Sequence, residues 1–186
     1  RVSPESVSAM LHPEFDGDVL AQQTPLTTGL PASPGAATGQ VYFTAEDAKK
    51  AADSGIKVVL IRQDTSPEDI DGMIVSQAIV TSRGGMTSHA AVVARGMGAT
   101  GVVGAHEINV DYAAKVAKIG SQEIHEGDWV SVDGTSGNLY LGQIGTTSAG
   151  VKGELSVLLD WAKDIAQMGV YTNADTPQDF QKALDF

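Results

Sequence analysis

The 186-residue sequence contains no cysteine, few aromatic residues and few basic residues. Without cysteine the chain has no disulfide framework, no thiolate metal site and no thiol nucleophile. Twelve lysines and arginines stand against 23 aspartates and glutamates, which gives a formal net charge of −11. Nucleic acids and anionic membranes repel so acidic a chain, so we expect neither as a partner.

Long apolar runs are also missing from the sequence. No run approaches the roughly 20 residues of a membrane-spanning helix, and the N-terminus lacks the basic-then-apolar pattern of a signal peptide. Hydrophobic residues make up 42% of the chain and charged residues 19%, which is typical of a globular protein. We therefore expect a soluble, cytoplasmic protein. The chain begins at Arg1 rather than Met, so we interpret it as a piece of a longer protein.

Composition and periodicity divide the chain into four segments. They are a short helix with a connector (1–26), an α/β domain (27–145), a linker (146–153), and an amphipathic helix with the start of a further domain (154–186). Ser3 and Pro4 favour the start of the first helix. Within the α/β domain, strands are predicted at 41–43, 57–61, 78–80, 101–103, 129–133 and 138–141, and helices at 44–50 and 66–75.

The residues that follow the predicted strand 78–80 indicate a functional site. Gly84 and Gly85 allow a tight turn with positive φ, and either Thr87 or Ser88 can cap a helix that ends at Gly96. His89 then lies in the first helical turn, where free N–H groups and the helix dipole favour an anion such as phosphate. Because histidine is largely neutral at pH 7, it can act as a nucleophile there. The pattern predicts a phosphohistidine; the alternative is a structural histidine behind a glycine turn.

The thirteen residues 84–96, GGMTSHAAVVARG, resemble the phosphohistidine motif of the pyruvate, phosphate dikinase family. The resemblance extends over about residues 27–186, through the stretches 29–41, 65–69, 127–129 and 172–177. It implies an α/β fold of the swivelling β/β/α phosphohistidine type. It also implies that 154–186 contains the start of the pyruvate/phosphoenolpyruvate-binding barrel.

The resemblance implies a reaction in which ATP, pyruvate and phosphate give AMP, phosphoenolpyruvate and diphosphate. His89 is expected to take the β,γ-diphosphate of ATP, to pass one phosphoryl group to inorganic phosphate, and to pass the other to pyruvate. In the family Nε2 is the phosphorylated nitrogen, and a hydrogen bond that the sequence does not identify is expected to hold the other nitrogen. The expected cofactor is Mg²⁺, held mainly by domains missing from this chain, and no metal site is expected here.

The resemblance also implies partners. They are the ATP-binding domain and the pyruvate/phosphoenolpyruvate-binding barrel of the same protein, between which the histidine must travel, so the piece alone is not expected to turn over. Thr87 matches a threonine that a bifunctional kinase/phosphatase regulator phosphorylates in some members; a dianion there would repel incoming phosphates. The alternative is that Thr87 only caps the helix. Members of the family occur in cytoplasm, plastids and glycosomes.

Supporting roles around the histidine are expected for Gly84, Gly85, Ser88 and Arg83. Arg83 and Arg95 flank the helix, and each could neutralise phosphoryl charge or form a structural salt bridge.

Two other functions stay open at this point. Phosphoenolpyruvate synthase shares the Gly-Gly…His-Ala-Ala core, but it usually carries Arg or Pro in place of Met86 and often Cys in place of Ser88. A non-catalytic phosphocarrier or regulatory module would accept a phosphoryl group without supporting turnover. Residues 96–101 fit GxGxxG by spelling, but a helix precedes them and a strand follows, the reverse of a dinucleotide-binding site.

Overall fold

The computed structural model describes residues 12–147 together with Val157, Trp161 and Ile165. The helix predicted after Ser3 and the strand pattern that begins at Val170 lie outside the described residues. The chain divides into two units, Arg1–Gly150 and Val151–Phe186. In the second unit the three described positions are helical and exposed.

The first unit contains thirteen short strands and four α-helices among the described residues. In chain order they are β1 (Glu14–Phe15), α1 (Gly17–Leu20), β2 (Thr27–Thr28), β3 (Leu30–Ser33), β4 (Ala36–Tyr42), α2 (Ala45–Asp53), β5 (Val58–Arg62), α3 (Ile70–Ile74), β6 (Ala78–Thr81), α4 (His89–Met97), β7 (Thr100–Val103), β8 (Ile108–Asp111), β9 (Val116–Ile119), β10 (Gln122–His125), β11 (Trp129–Asp133), β12 (Asn138–Leu141) and β13 (Thr146–Thr147). All six strands predicted between residues 41 and 141 are present, some with shifted ends. The short elements β1 and α1, which lie within the segment 1–26, were not predicted.

The two helices predicted before the histidine form where their capping residues place them. Thr44 accepts a hydrogen bond from the Asp47 N–H and starts α2. The pattern at 66–75 forms a 3₁₀ turn, Pro67–Asp69, followed by α3. This tighter start arises because Ser66 and Asp69 form a capping box around the proline.

Eight strands form one mixed sheet in the order β2-β12-β11-β4-β5-β6-β7-β3. The four central strands β4 to β7 are parallel neighbours in chain order. The outer strands β3, β11, β12 and β2 pair antiparallel. A separate antiparallel meander contains β8, β9 and β10. The α/β class predicted from the sequence is therefore confirmed.

Alternate residues of the central strands face two different layers. On β5, Val59 and Ile61 pack in a cluster with Ile108 and Ile124 of the meander, whereas Val58 and Leu60 pack in a second cluster with residues of the helices. All of these side chains are buried. Because successive side chains of a strand point to opposite faces, one strand supports both cores. The result is the expected β/β/α arrangement of meander, large sheet and helices.

Strands β1 and β13 pair at the two ends of the described range. Glu14 lies opposite Thr147, and Phe15 lies opposite Thr146. Phe15 packs in a third buried cluster with Tyr140. The residues on either side of the α/β core are thus joined to each other by strand pairing and apolar contact.

Candidate functional site

The histidine lies where the carboxyl ends of β5 and β6 meet. Backbone pairing continues past the ends of these parallel strands, since Ser82 N–H donates to the Arg62 carbonyl (3.0 Å) and Arg83 N–H donates to the Gln63 carbonyl (2.8 Å). The loop after β5 therefore runs beside the loop after β6. In open α/β sheets, ligands bind at such carboxyl ends.

Helix α4 begins directly at His89. Ser88 has extended backbone angles, and its hydroxyl accepts the Ala91 N–H at 3.4 Å, so Ser88 is the N-cap. Thr87 lies one residue earlier in an exposed turn. The structure thus decides between the two capping residues that the sequence left open, and the cap is not Thr87. The predicted end at Gly96 was wrong by two residues, because the left-handed C-cap is Gly98 (φ +66°).

Of the two glycines before the helix, Gly84 needs its lack of a side chain. Gly84 has φ +95°, and a Cβ there would come within 2.8 Å of the Ser88 Cβ. Gly85 has no positive φ, and a Cβ on it would meet nothing within 4 Å. Its carbonyl instead accepts the Ser88 N–H at 2.9 Å. The turn is therefore closed tightly behind the N-cap.

Thr65 holds one ring nitrogen of the histidine. The Thr65 Oγ1 lies 3.1 Å from the His89 Nδ1, and Thr65 is only 8% exposed. His89 itself is half-buried. A hydrogen bond at one ring nitrogen fixes the orientation of the ring, and the Thr65 hydroxyl can be its donor or its acceptor. Because this bond occupies Nδ1, Nε2 is the ring nitrogen left for a ligand.

The sequence did not single out Thr65 as a site residue. The signal that could have found it is its position just after β5, the strand next to the one that leads to His89. Parallel neighbours end at the same edge of a sheet, so a polar side chain after one strand can reach a residue after the next.

The two arginines beside the helix differ in their surroundings. Arg95 donates to the Met86 carbonyl at 2.7 Å and to the Ala32 carbonyl at 3.1 Å, so it ties α4 to the preceding turn and to β3. Among the described residues it therefore contacts backbone carbonyls rather than forming the salt bridge considered from the sequence. Arg83 is exposed beside the glycine turn.

Acidic residues near the histidine do not gather into a metal site. Hydrogen bonds from the Ser66 hydroxyl and the Glu68 N–H hold the pKa of the Glu68 carboxyl below its ordinary value, and the charge of a protonated His89 adds to this. Across 12–147 and the three described helical positions, no group of three or more His, Asp or Glu side chains could hold a metal ion. These residues therefore do not fit a Mg²⁺ site of their own.

Within the same part of the chain, no helix is long and apolar enough to cross a bilayer.

The residues that form this site lie in a stretch that matches a known protein family. Residues 56–137 match the family described as "PEP-utilising enzyme, mobile domain", where PEP is phosphoenolpyruvate. These residues, fewer than half of the chain, are therefore similar to the mobile domain of phosphoenolpyruvate-utilising enzymes.

More particularly, the chain is similar along its whole length to part of pyruvate, phosphate dikinases. It is 50% identical to that of Entamoeba histolytica over 187 residues, which cover all of this chain and 21% of the relative. It is 47% identical to that of Clostridium symbiosum over 184 residues, which cover 99% of this chain and 21% of the relative. The chain thus spans about a fifth of the length of these relatives. The solved N-terminal domain of Enzyme 1 - Nitrogen aligns with 75% of this chain and 99% of its own, at 12% identity and a TM-score of 0.42.

Proposed function

We propose that this chain is the phosphohistidine carrier domain of a pyruvate, phosphate dikinase, with His89 as the phosphoryl acceptor. The observation that carries the proposal is the 3.1 Å contact between His89 Nδ1 and Thr65 Oγ1 at the start of a helix. The similarity to dikinases over the whole chain supports the reaction: ATP, pyruvate and phosphate give AMP, phosphoenolpyruvate and diphosphate.

In the proposed step the neutral imidazole keeps its proton on Nδ1, and this N–H donates a hydrogen bond to the Thr65 oxygen. The Nε2 lone pair attacks phosphorus, the N–P bond forms, and the P–O bond to the leaving group breaks with its electron pair on oxygen. Thr65 stabilises the tautomer whose lone pair is on Nε2, and it also stabilises the positive charge that the ring gains during attack. For transfer to pyruvate, the enolate oxygen of pyruvate forms the new P–O bond, the N–P bond breaks with its electron pair returning to Nε2, and the proton lost from the pyruvate methyl group goes to a base of the partner barrel.

The turn and the first turn of α4 provide the anion site in this proposal. The N–H groups of His89 and Ala90 precede the first intrahelical hydrogen bond, in which Val92 N–H donates to the Ser88 carbonyl. Such N–H groups and the positive end of the helix dipole stabilise an anion. Gly84 and Gly85 keep side chains away from the incoming phosphate, and exposed Arg83 adds positive charge beside it.

The remaining parts of the reaction belong to partners of this domain. We propose that an ATP-binding domain and a pyruvate/phosphoenolpyruvate-binding barrel of the same protein alternately meet His89. The connector that precedes β2 (22–26) and the part of the Gly/Ser/Thr-rich linker at 146–153 that follows β13 are proposed as the hinges, and 154–186 as the start of the barrel. Mg²⁺ would reach His89 with the nucleotide phosphates. A cytoplasmic or plastid location is proposed, since four plant relatives are named chloroplastic.

We further propose Thr87 as a regulatory phosphorylation site for a bifunctional kinase/phosphatase. Its exposure in the turn, and the fact that Ser88 provides the cap, leave its hydroxyl accessible. A phosphate two residues before His89 would repel the phosphates that approach the helix N-terminus. Mutating Thr87 to Val should therefore remove inhibition by such a regulator.

The test uses the full-length protein with ATP and pyruvate, with and without inorganic phosphate, and follows diphosphate and phosphoenolpyruvate. We expect diphosphate to form only when phosphate is added, and His89→Ala to abolish both products. Formation of phosphoenolpyruvate without added phosphate, with release of phosphate instead of diphosphate, would identify a phosphoenolpyruvate synthase. Phosphorylation of His89 without any turnover would identify a phosphocarrier or regulatory module.

A further inference from the structure

A largely buried ion pair lies next to the loop that carries Thr65, with 21% of the Arg62 side chain and 9% of the Asp69 side chain exposed. Asp69 is 7% exposed, and its Oδ2 accepts from the Arg62 guanidinium at 3.1 Å and from the Ser66 N–H at 3.0 Å. Ser66 directly follows Thr65. The carboxylate therefore ties the last residue of β5 to the backbone immediately after the threonine.

Tyr112 holds the same loop from the other side. This tyrosine comes from the meander, directly after β8, and its phenol oxygen accepts the Gln63 N–H at 2.9 Å. The Arg62 guanidinium lies over the Tyr112 ring, 5.0 Å from its centroid, and one of its nitrogens also donates to the Phe43 carbonyl at 3.2 Å. The loop residues before and after Thr65 are thus both anchored through groups that contact Arg62.

We propose that Arg62, Asp69 and Tyr112 are positioning residues that hold the Thr65 hydroxyl against His89 Nδ1. This inference rests on the proposed function and adds to it the groups that prepare the histidine for attack. The pattern of contacts supports a positioning role. Asp69 satisfies the Ser66 N–H, Tyr112 satisfies the Gln63 N–H, and Arg62 contacts both residues. A hydrogen bond of the kind that Thr65 makes needs donor and acceptor within a few tenths of an ångström of 3 Å.

The ion pair is poorly explained by stability alone. Burying two charges removes them from water, and a well-packed apolar pair at such a place is often as stable or more so. A charged pair does, however, define a direction as well as a contact, because guanidinium and carboxylate bond in few geometries. The hydrogen bond to His89 Nδ1 requires such a defined position of the Thr65 hydroxyl.

The test is a double-mutant cycle in the full-length protein. The rate measured is single-turnover phosphorylation of His89 by phosphoenolpyruvate. Thr65→Val should lower this rate by about 3- to 10-fold, the loss of one hydrogen bond, and Asp69→Asn should lower it by a similar factor. If Asp69 acts through Thr65, the double variant should be no more than about 2-fold slower than Thr65→Val alone. The phosphoenolpyruvate concentration for half-maximal rate should not change, because another domain binds that molecule.

Two further variants complete the experiment, one as a control and one as a replacement for Asp69→Asn. Glu123→Gln is the matched control for carboxylate loss, since Glu123 pairs with Lys118 on the exposed meander (3.7 Å) and should leave the rate unchanged. If Asp69→Asn fails to fold, Tyr112→Phe takes its place in the cycle, because it keeps the ring beneath Arg62 and removes only the phenol oxygen.

The outcomes separate the two proposals. Wild-type protein that incorporates no phosphoryl group at His89 would overturn the proposed function. Wild-type protein that is phosphorylated normally, with rate losses that multiply in the double variant, would overturn the positioning role alone. Single variants as fast as the wild type would overturn it equally.

Discussion

Replacing Gly84 by alanine should both destabilise the domain and disturb the histidine. The residue has φ +95°, where a side chain costs about 1–2 kcal/mol. The added Cβ would lie 2.8 Å from the Ser88 Cβ and 3.0 Å from its Oγ, so the N-cap must move. Losing an N-cap costs about another 1 kcal/mol. We therefore expect the free energy of unfolding to fall by about 2–3 kcal/mol.

The neighbouring glycine is the matched control for this experiment. A Cβ on Gly85 would meet nothing within 4 Å, and the residue has no positive φ. The free energy of unfolding of Gly85→Ala should therefore stay within about 0.5 kcal/mol of the wild-type value, with any change towards higher stability. The assay is urea unfolding of the 186-residue chain, followed by circular dichroism. Equal losses for the two variants would refute the reasoning, because they would mean that the left-handed backbone and the contact with Ser88 have no special cost.

The remaining predictions concern the histidine, the helix and the pH dependence of stability. Thr65→Ser, which keeps a hydroxyl, should retain at least half of the wild-type rate of His89 phosphorylation in the full-length protein; a rate as low as that of Thr65→Val would argue against the hydrogen bond. Arg95→Gln should lower the unfolding free energy by about 1–3 kcal/mol, because two backbone carbonyls lose a charged donor; an unchanged urea midpoint would contradict this. A hydrogen bond from Lys115 holds the pKa of Asp47 below its ordinary value of 3.8, so the pair stabilises the fold above that pH and the contribution is lost as the pH falls through the lowered pKa. Lys115→Met should therefore cost stability at pH 6, and this cost should shrink as the pH is lowered further and further below 3.8, as urea titrations over that range would show.

The Thr65–His89 contact links the two loops that define the site. One loop follows β5 and the other follows β6, and the backbone hydrogen bonds between them begin directly at the strand ends. The helix and the threonine are therefore positioned by the same sheet edge. A substitution that shifts the end of β5 or of β6 should therefore change the position of the His89 ring, even when the substituted residue does not contact His89.

The start of the histidine helix could be predicted from the sequence because its determinants are local. Ser88 and His89 are adjacent, and capping depends on residues within one helical turn. The buried strand β5 could be predicted for a similar reason, since an apolar run of its length and branching favours a strand. The resemblance of residues 84–96 to a known motif also required only contiguous residues.

The contacts around the histidine could not be predicted in that way. Thr65 and His89 are 24 residues apart, and Arg95 reaches the Ala32 carbonyl across 63 residues. Neither pair has a pattern in the sequence, because each depends on which strands are neighbours. The antiparallel pairing of the edge strand β3 with β7 decides the second pair, and the parallel pairing of β5 with β6 decides the first.

The sequence by itself therefore determined the central strands and helices, the acidic character of the chain and the residue proposed to carry the chemistry. Only the tertiary structure decided which nitrogen of that residue is held and by what. Secondary structure and capping follow from interactions within a few residues, whereas a hydrogen bond between loops exists only after the sheet has aligned their ends. The orientation of the His89 ring depends on such a bond, so it is a property of the folded domain.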